Sequence, residues 1–271
     1  NFVAGDREGR IAWTIVGKIP DRAGRSGMRP VDSTDPMARW NGFLAPGDIP
    51  RVESPAEGLL WTANARVVDG EALQKIGDGG YASGARAQQI RDGLRRLGGP
   101  ITEADMLAIQ LDDRAVFMAR WRDLLSGVLE SAEGNQARSD ALARLGDWEG
   151  EASTTSASYG LVKRFRQRLG AKLASALLGD ARRVWPEATS LSEAAIWRLA
   201  TDRPPHLLPS DAESWDALLL ATADEAIAQS PGTWGDENTA DIAHPMADAL
   251  PFLGRWLRMP ADRLDGDAWT P

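Results

Sequence analysis

Asn64 ends a short apolar run, Gly58-Leu59-Leu60-Trp61-Thr62-Ala63-Asn64, with Ala65 and Arg66 directly after it and glycine- and proline-rich sequence before it. A carboxamide at the tip of an extended segment is costly to bury unless it is hydrogen-bonded. Two uses fit that residue type. It can turn the chain by capping its own backbone, the commoner role of asparagine beside a loop. Alternatively its N–H groups can donate to an oxyanion during acyl transfer, where a neutral, directional donor is what the chemistry needs. The residues alone leave both open. Arg86 opens a helical pattern and carries a permanent charge on a rigid fork of donors. By itself it reads as a helix-start arginine pairing with a loop carboxylate such as Asp78.

Other reactive residue types are poorly placed. Asp112 and Asp113 are adjacent, so on a helix they point to different sides and cannot share one proton-transfer task. His206 and His244 are the two histidines, each beside proline, which gives a metal site or a Ser-His-Asp triad little to build on. Gly77-Asp78-Gly79-Gly80 lacks the Gly-Lys-Ser/Thr that would make it a phosphate loop.

The elements that must hold these residues follow from periodicity. Phe2-Val3-Ala4 and Ile11-Ala12-Trp13-Thr14-Ile15-Val16 flank the turn-forming Asp6-Arg7-Glu8-Gly9, which predicts a hairpin. Residues 17–57 form a long Pro- and Gly-rich connection, and residues 58–67 read as a strand. Ala87, Ile90, Leu94 and Leu97 mark one face of a helix that stops at Gly98-Gly99-Pro100. Thr102 with Asp105 predicts an N-terminal capping box, with Ile101 stapled to Met106. The stripe after it (Met106, Ile109, Asp113, Val116, Phe117, Trp121, Leu124, Val128) predicts one helix running to about Leu129. Leu161, Phe165, Leu169 and Leu173 mark a further helix. Ser192 starts a shorter one, and Ser210 with Glu213 predicts a capping box before Trp215. Residues 146–157 read as a loop. The expected fold is α+β, with a β-rich part over 1–82 and a mainly helical part with a loop-rich C-terminal segment over 83–271.

The chain has 271 residues, a net charge of −8 and no cysteine. This excludes disulfides and thiolate metal sites. The acidic balance argues against sequence-independent nucleic-acid binding, and no apolar run approaches the roughly 18 residues of a membrane span. Eleven tryptophans against two tyrosines favour broad apolar surfaces; Trp13, Trp61, Trp121 and Trp148 could line a pocket, though most are expected in the core.

A set of ordered motifs is more specific than any of these features. It comprises Asn1-Phe2-Val3-Ala4-Gly5-Asp6, Gly9-Arg10-Ile11, Gly17-Lys18-Ile19-Pro20-Asp21-Arg22, Trp40-Asn41-Gly42, Pro50-Arg51-Val52 and Pro55. The run ending at Asn64 follows, then Gly84-Ala85-Arg86-Ala87-Gln88-Gln89-Ile90, Ile101-Thr102-Glu103-Ala104-Asp105-Met106, His244-Pro245-Met246, Leu257-Arg258-Met259-Pro260 and Gly266-Asp267. In order and spacing these resemble the penicillin acylase family of N-terminal nucleophile amidohydrolases. The match is densest over residues 1–130.

The resemblance implies an αββα sandwich to which the β-rich part contributes strands. It also implies cleavage of a linear amide, the N-acyl side chain of a β-lactam or of an acyl-homoserine lactone. The nucleophile would be the first residue of a mature β-subunit, freed by self-cleavage, with its own α-amino group as base. By position Asn64 matches the family's oxyanion-hole asparagine, and Arg86 the arginine that orients the site and the substrate's polar end. Many relatives carry a second asparagine where this chain has Ala65.

Asn1 has no hydroxyl or thiol, so the chain reads as an internal piece of the β-subunit, cut at both ends and expected to be inactive alone. Its partners would be the rest of that subunit, the α-subunit of the same precursor and a small amide, with no nucleic acid and no membrane. A periplasmic or secreted location is implied. So is a structural calcium, to which Asp78 would give a carboxylate and the loop near Gly27 or Met28 a carbonyl. Two alternatives remain: a non-catalytic scaffold or ligand-binding module of such a protein, and an unrelated helical ligand-binding or interaction domain with a small β cap.

Overall fold

The hairpin forms as expected. The computed structural model describes residues 1–230, 232–249 and 252–271. Strand β1 (Phe2–Gly5) pairs antiparallel with β2 (Ile11–Thr14), placing Val3 opposite Trp13, and β2 pairs antiparallel with β3 (Arg51–Glu53) in the order β1-β2-β3. The turn is tied by the Asp6 carboxylate, which accepts the Glu8 and Arg10 backbone N–H groups at 3.0 and 2.9 Å. Only β2 turns a large side chain inward: Trp13 is 3% exposed, whereas Phe2 and Val3 on β1 are about half exposed.

Among the described residues eight α-helices follow the sheet, and the fold class is α+β. The chain divides into two compact units, residues 1–111 with Pro271, and Asp112–Thr270. The first unit therefore holds the sheet together with α1 (Gly70–Ile76), α2 (Ala85–Arg96) and α3 (Glu103–Gln110). Helix α2 ends ahead of Gly98-Gly99, where the sequence puts its stop. The α3 capping box is present: Thr102 Oγ1 accepts from the Asp105 N–H, and the Asp105 carboxylate accepts from the Thr102 N–H at 2.9 Å.

The second unit is a helical bundle: α4 (Ala119–Glu130), α5 (Gln136–Gly146), α6 (Ala157–Leu178), α7 (Glu193–Asp202) and α8 (Trp215–Ala228). Helix α6 is its axis, and the predicted stripe of Leu161, Phe165, Leu169 and Leu173 is fully buried there beside Trp121, Leu125, Leu145 and Leu219. Side chains of that size contribute about 1.5–3 kcal/mol each on burial. Ser192 caps α7 as expected, its hydroxyl accepting from the Ala195 N–H. Glu193 in that first turn accepts from Arg120, Arg166 and the Trp121 indole, fastening α7 to α4 and α6. The segment Gly266–Thr270 lies on α6: Lys163 Nζ meets the buried Asp267 carboxylate at 2.8 Å, and Trp269 stacks on Phe117 with centroids 4.2 Å apart.

Three expectations are corrected. The strand over 58–67 does not form. The segment runs without a ladder partner, and Asn64 takes a left-handed φ of +58°, ending its extended course. A strand persists only where its N–H and C=O groups are paired along a ladder, and here the backbone contacts are the Ala63 and Asn64 carbonyls, which accept from Arg86 and from the Ala82 N–H.

The helix predicted from Thr102 to about Leu129 is two helices. Residues 113–115 pair instead with 150–152: Ala152 N–H donates to Asp113 O at 2.7 Å and Ala115 N–H to Gly150 O at 2.6 Å. The Asp112 side chain binds the Arg114 backbone N–H at 3.2 Å, a local bond that competes with the helical ladder. Finally, α8 is capped by Ser214, whose hydroxyl accepts from the Ala217 N–H, and not by Ser210.

Candidate functional site

In the first unit the segment leading to Asn64 is held residue by residue. The Ala82 N–H donates to the Asn64 carbonyl at 2.9 Å, so the turn after the apolar run is closed by the chain just ahead of α2. Arg86 sits in the first turn of α2, with Gly84 at the N-cap. Its Nη2 donates to the Ala63 carbonyl at 3.2 Å and to Asn64 Oδ1 at 2.9 Å. The pairing of Arg86 with Asp78 is not what forms; its partners are this carbonyl and this carboxamide.

The contact orients the amide. A guanidinium has donors only, so the Asn64 oxygen must face it and the Nδ2–H pair must face away. The Asn64 side chain is exposed, whereas Ala65, where many relatives have a second asparagine, is buried. Support for the Asn64 amide therefore comes from Arg86. The result is a neutral donor, held at one end by a permanent cation, with its N–H groups unused within the pair. A donor oriented in this way can serve a developing oxyanion once the group is shielded from water.

Two clefts flank the segment. One, of about 450 Å³, is lined by Trp61, Arg66, Tyr81, Gln88 and Arg91, with the Arg66 guanidinium 5.7 Å from the Tyr81 ring centroid. Burial pushes the Tyr81 phenol up, the Arg66 charge opposes this, and the Asp78 charge adds to it. The other, of about 420 Å³, is apolar and is walled by Leu60, Trp61, Ile90, Leu94, Met106 and Ile109. Trp61 belongs to both, and Arg95 stands 5.3 Å over its ring while bound to Glu57 at 2.7 Å. Of the tryptophans considered from sequence, Trp13 and Trp121 are core, Trp148 packs against the core of the second unit, and Trp61 faces the clefts.

The neighbouring hydroxyls are already engaged. Thr62 Oγ1 accepts from Asn1 Nδ2 at 3.0 Å, and Asn1 Oδ1 in turn accepts from the Trp13 indole N–H at 2.9 Å. Ser83 Oγ accepts from the Ala85 N–H. The Asn1–Thr62 contact was not legible in the sequence, because no local spacing connects residues so far apart. In the second unit, His206 lies in a short 3₁₀ turn lining a groove of about 850 Å³, and His244 Nδ1 accepts from the Met246 N–H at 3.1 Å. Asp112 binds Arg114 and is not on a helix.

Asp78 and Gly27 do meet, through the backbone: the Asp78 N–H donates to the Gly27 carbonyl at 3.0 Å, and Gly77 packs directly on Gly27. One Asp78 carboxylate oxygen accepts from the Gly80 N–H at 3.2 Å, and Gly27 O is taken by Asp78 itself. No group of three or more His, Cys, Asp or Glu side chains that could hold a metal occurs among the described residues. Calcium needs six to eight oxygens, so these donors do not make its site by themselves. Among the described residues no helix is long and apolar enough to cross a membrane.

Comparison with known proteins gives a consistent picture. A family model described as penicillin amidase matches residues 1–270. The penicillin acylase 2 proenzyme of Pseudomonas sp. (strain SE83) is 26% identical over 286 aligned residues, covering all of this chain and 35% of the relative. The acyl-homoserine lactone acylase QuiP of Pseudomonas fluorescens (strain Pf0-1) is 27% identical over 62% of this chain and 21% of its own length. QuiP of Pseudomonas aeruginosa PAO1 is 25% identical over 94% of this chain and 33% of its own length. The chain thus spans about a third, or less, of the curated relatives it matches.

Proposed function

The chain belongs to the penicillin amidase family, and from that premise we propose that it supplies the oxyanion-stabilising part of an amidohydrolase that cleaves a linear amide through an acyl-enzyme. The observation that carries this reading is the Arg86–Asn64 contact, which leaves the Asn64 N–H groups as the available donors.

The nucleophile belongs to polypeptide outside this chain, at the N-terminus of a mature β-subunit, with its α-amino group as the base. Its hydroxyl or thiol proton passes to that amine as the bond to the amide carbon forms. The carbonyl oxygen takes up the negative charge, and Asn64 Nδ2 donates to it. Collapse breaks the C–N bond, the amine leaves with the proton, and water releases the acid by the same route in reverse. The Arg86 cation adds a favourable field and holds the donor still, so no reorganisation is needed as charge develops.

Several further facts support a role within a larger assembly. The relatives are about three times longer, one of them is named a proenzyme, β1 exposes apolar side chains, and residues 58–63 carry no ladder partner. The missing partners are the remainder of the β-subunit and the α-subunit, which would complete the αββα sandwich. The apolar cleft beside Trp61 suits an acyl chain; the amine half is a β-lactam nucleus or a homoserine lactone, the two substrate types named among the relatives. On the family resemblance alone, the proposed location is the periplasm or outside the cell.

The test is Asn64→Ala in the active protein that contains this chain. Loss of about 10²-fold in kcat with little change in KM is expected, because the lost bond is made mainly in the transition state. An unchanged kcat would return the chain to a scaffold role.

A further inference from the structure

We infer that Asn1 is a positioning residue for the Asn64 donor, acting through a side-chain bridge that takes the place of a β-ladder. The inference rests on the reading of Asn64 as an oxyanion donor. Its basis is the segment that carries Asn64, which has no strand alongside it, and yet three consecutive residues are pinned. Thr62 is held through its hydroxyl by Asn1, Ala63 through its carbonyl by Arg86, and Asn64 through its carbonyl by the Ala82 N–H. The second and third pins come from α2 and the chain just before it. The first comes from the sheet side of the unit, because Asn1 is fixed by Trp13.

The chemistry of the bridge is as constrained as that of the Asn64 pair. Trp13 is 3% exposed on β2, and its indole N–H is donor-only, so it requires an acceptor on burial. The Asn1 oxygen meets it, which forces Nδ2 toward Thr62. The carboxamide of Asn1 thereby joins the buried Trp13 of the sheet to the Thr62 side chain, two residues before Asn64. Without it the segment would be pinned on one side only, free to pivot about the Arg86 and Ala82 contacts. A displacement near 1 Å at a catalytic group costs on the order of 10²-fold in rate, so a modest pivot is enough to matter.

Hydrolysis of a chromogenic N-acyl anilide tests the bridge, comparing Asn1→Leu, Thr62→Val, the double variant, Asn1→Asp and Asn64→Ala in the active protein. Asn1→Leu and Thr62→Val are each expected to lower kcat about 10-fold with KM within twofold. The double variant should lose no more than either single one, because both remove the same bond. Asn1→Asp should stay within a few-fold of the parent, since a carboxylate still accepts from Trp13 and the Thr62 hydroxyl can turn to donate. Thr62→Val is nearly isosteric, so it decides the matter should Asn1→Leu fail to fold.

Unchanged kcat in Thr62→Val, additive losses in the double variant, or a rise in KM at constant kcat would each overturn the positioning role. The Asn64→Ala arm separates the two readings. If Asn64→Ala is crippled while Thr62→Val is not, the bridge alone is wrong. If Asn64→Ala is fully active, the donor assignment falls and the positioning role falls with it.

Discussion

Arg86 Nη2 lies 2.9 Å from Asn64 Oδ1, and this single contact decides which end of the Asn64 carboxamide is free. An asparagine left to itself can present either its oxygen or its nitrogen to a cleft. A donor-only partner removes that choice. The pair therefore converts an ambiguous polar side chain into a donor of fixed direction.

Asn64→Asp separates geometry from donation. The carboxylate keeps the bond to Arg86 but has no N–H to offer, and its charge opposes an oxyanion. We expect kcat to fall by at least about 10²-fold, as for Asn64→Ala, with Arg86 still engaged. Steady-state kinetics check this, and near-parental activity in Asn64→Asp would mean that the amide N–H groups are not used.

Arg86→Lys keeps the charge and loses the planar fork. One ammonium on a flexible stem is a poor replacement for a guanidinium held between Ala63 O and Asn64 Oδ1. The expected result is a kcat about 10-fold lower, with the far-UV circular dichroism spectrum retained. If lysine served as well as arginine, charge alone would be the requirement.

Glu193→Gln probes the bundle and not the site. The Glu193 carboxylate, 11% exposed, receives Arg120, Arg166 and the Trp121 indole. Glutamine offers one acceptor and turns an N–H pair toward cations. Removing the one anion from a partly buried cluster is expected to cost about 3 kcal/mol in denaturant unfolding. A change under about 0.5 kcal/mol, the size of an ordinary surface substitution, would show the cluster to be incidental.

The two tyrosines should resist ionisation. Burial raises Tyr81, partly offset by Arg66, and burial with the Asp267 charge pushes Tyr159 far above the ordinary phenol value. Above pH ~10 the unfolded chain releases these protons while the folded one keeps them, so stability falls as pH rises past that point. Phenolate absorbance should lag behind that of free tyrosine, with Tyr159 appearing only on alkaline unfolding. Both phenols titrating near pH 10 in the folded protein would contradict the buried placement of Tyr159.

Local chemistry made much of the fold readable. The hairpin follows from two apolar runs around an Asp-to-Gly turn, the α3 start from Thr102 and Asp105, and the α6 core stripe from leucines and a phenylalanine at helical spacing. Each is decided within a few residues, where backbone sterics and side-chain caps dominate. The α3–α4 break was not readable in this way, because the apolar stripe continues through Val116 and Phe117. Pairing of 113–115 with 150–152 overrode it, and the adjacent Asp112-Asp113 was the only local sign.

The candidate site divides along the same line. By residue type and order, the sequence alone marked Asn64 and Arg86 as polar groups worth placing, and it carried the family resemblance. Only the tertiary structure decided that Arg86 binds the Asn64 oxygen, that the run before Asn64 is pinned by side chains instead of a ladder, and that Asn1 reaches Thr62. The reason is physical: periodicity and capping act over one or two turns, whereas a hydrogen bond between residues 1 and 62 exists only once packing has brought them within 3.0 Å.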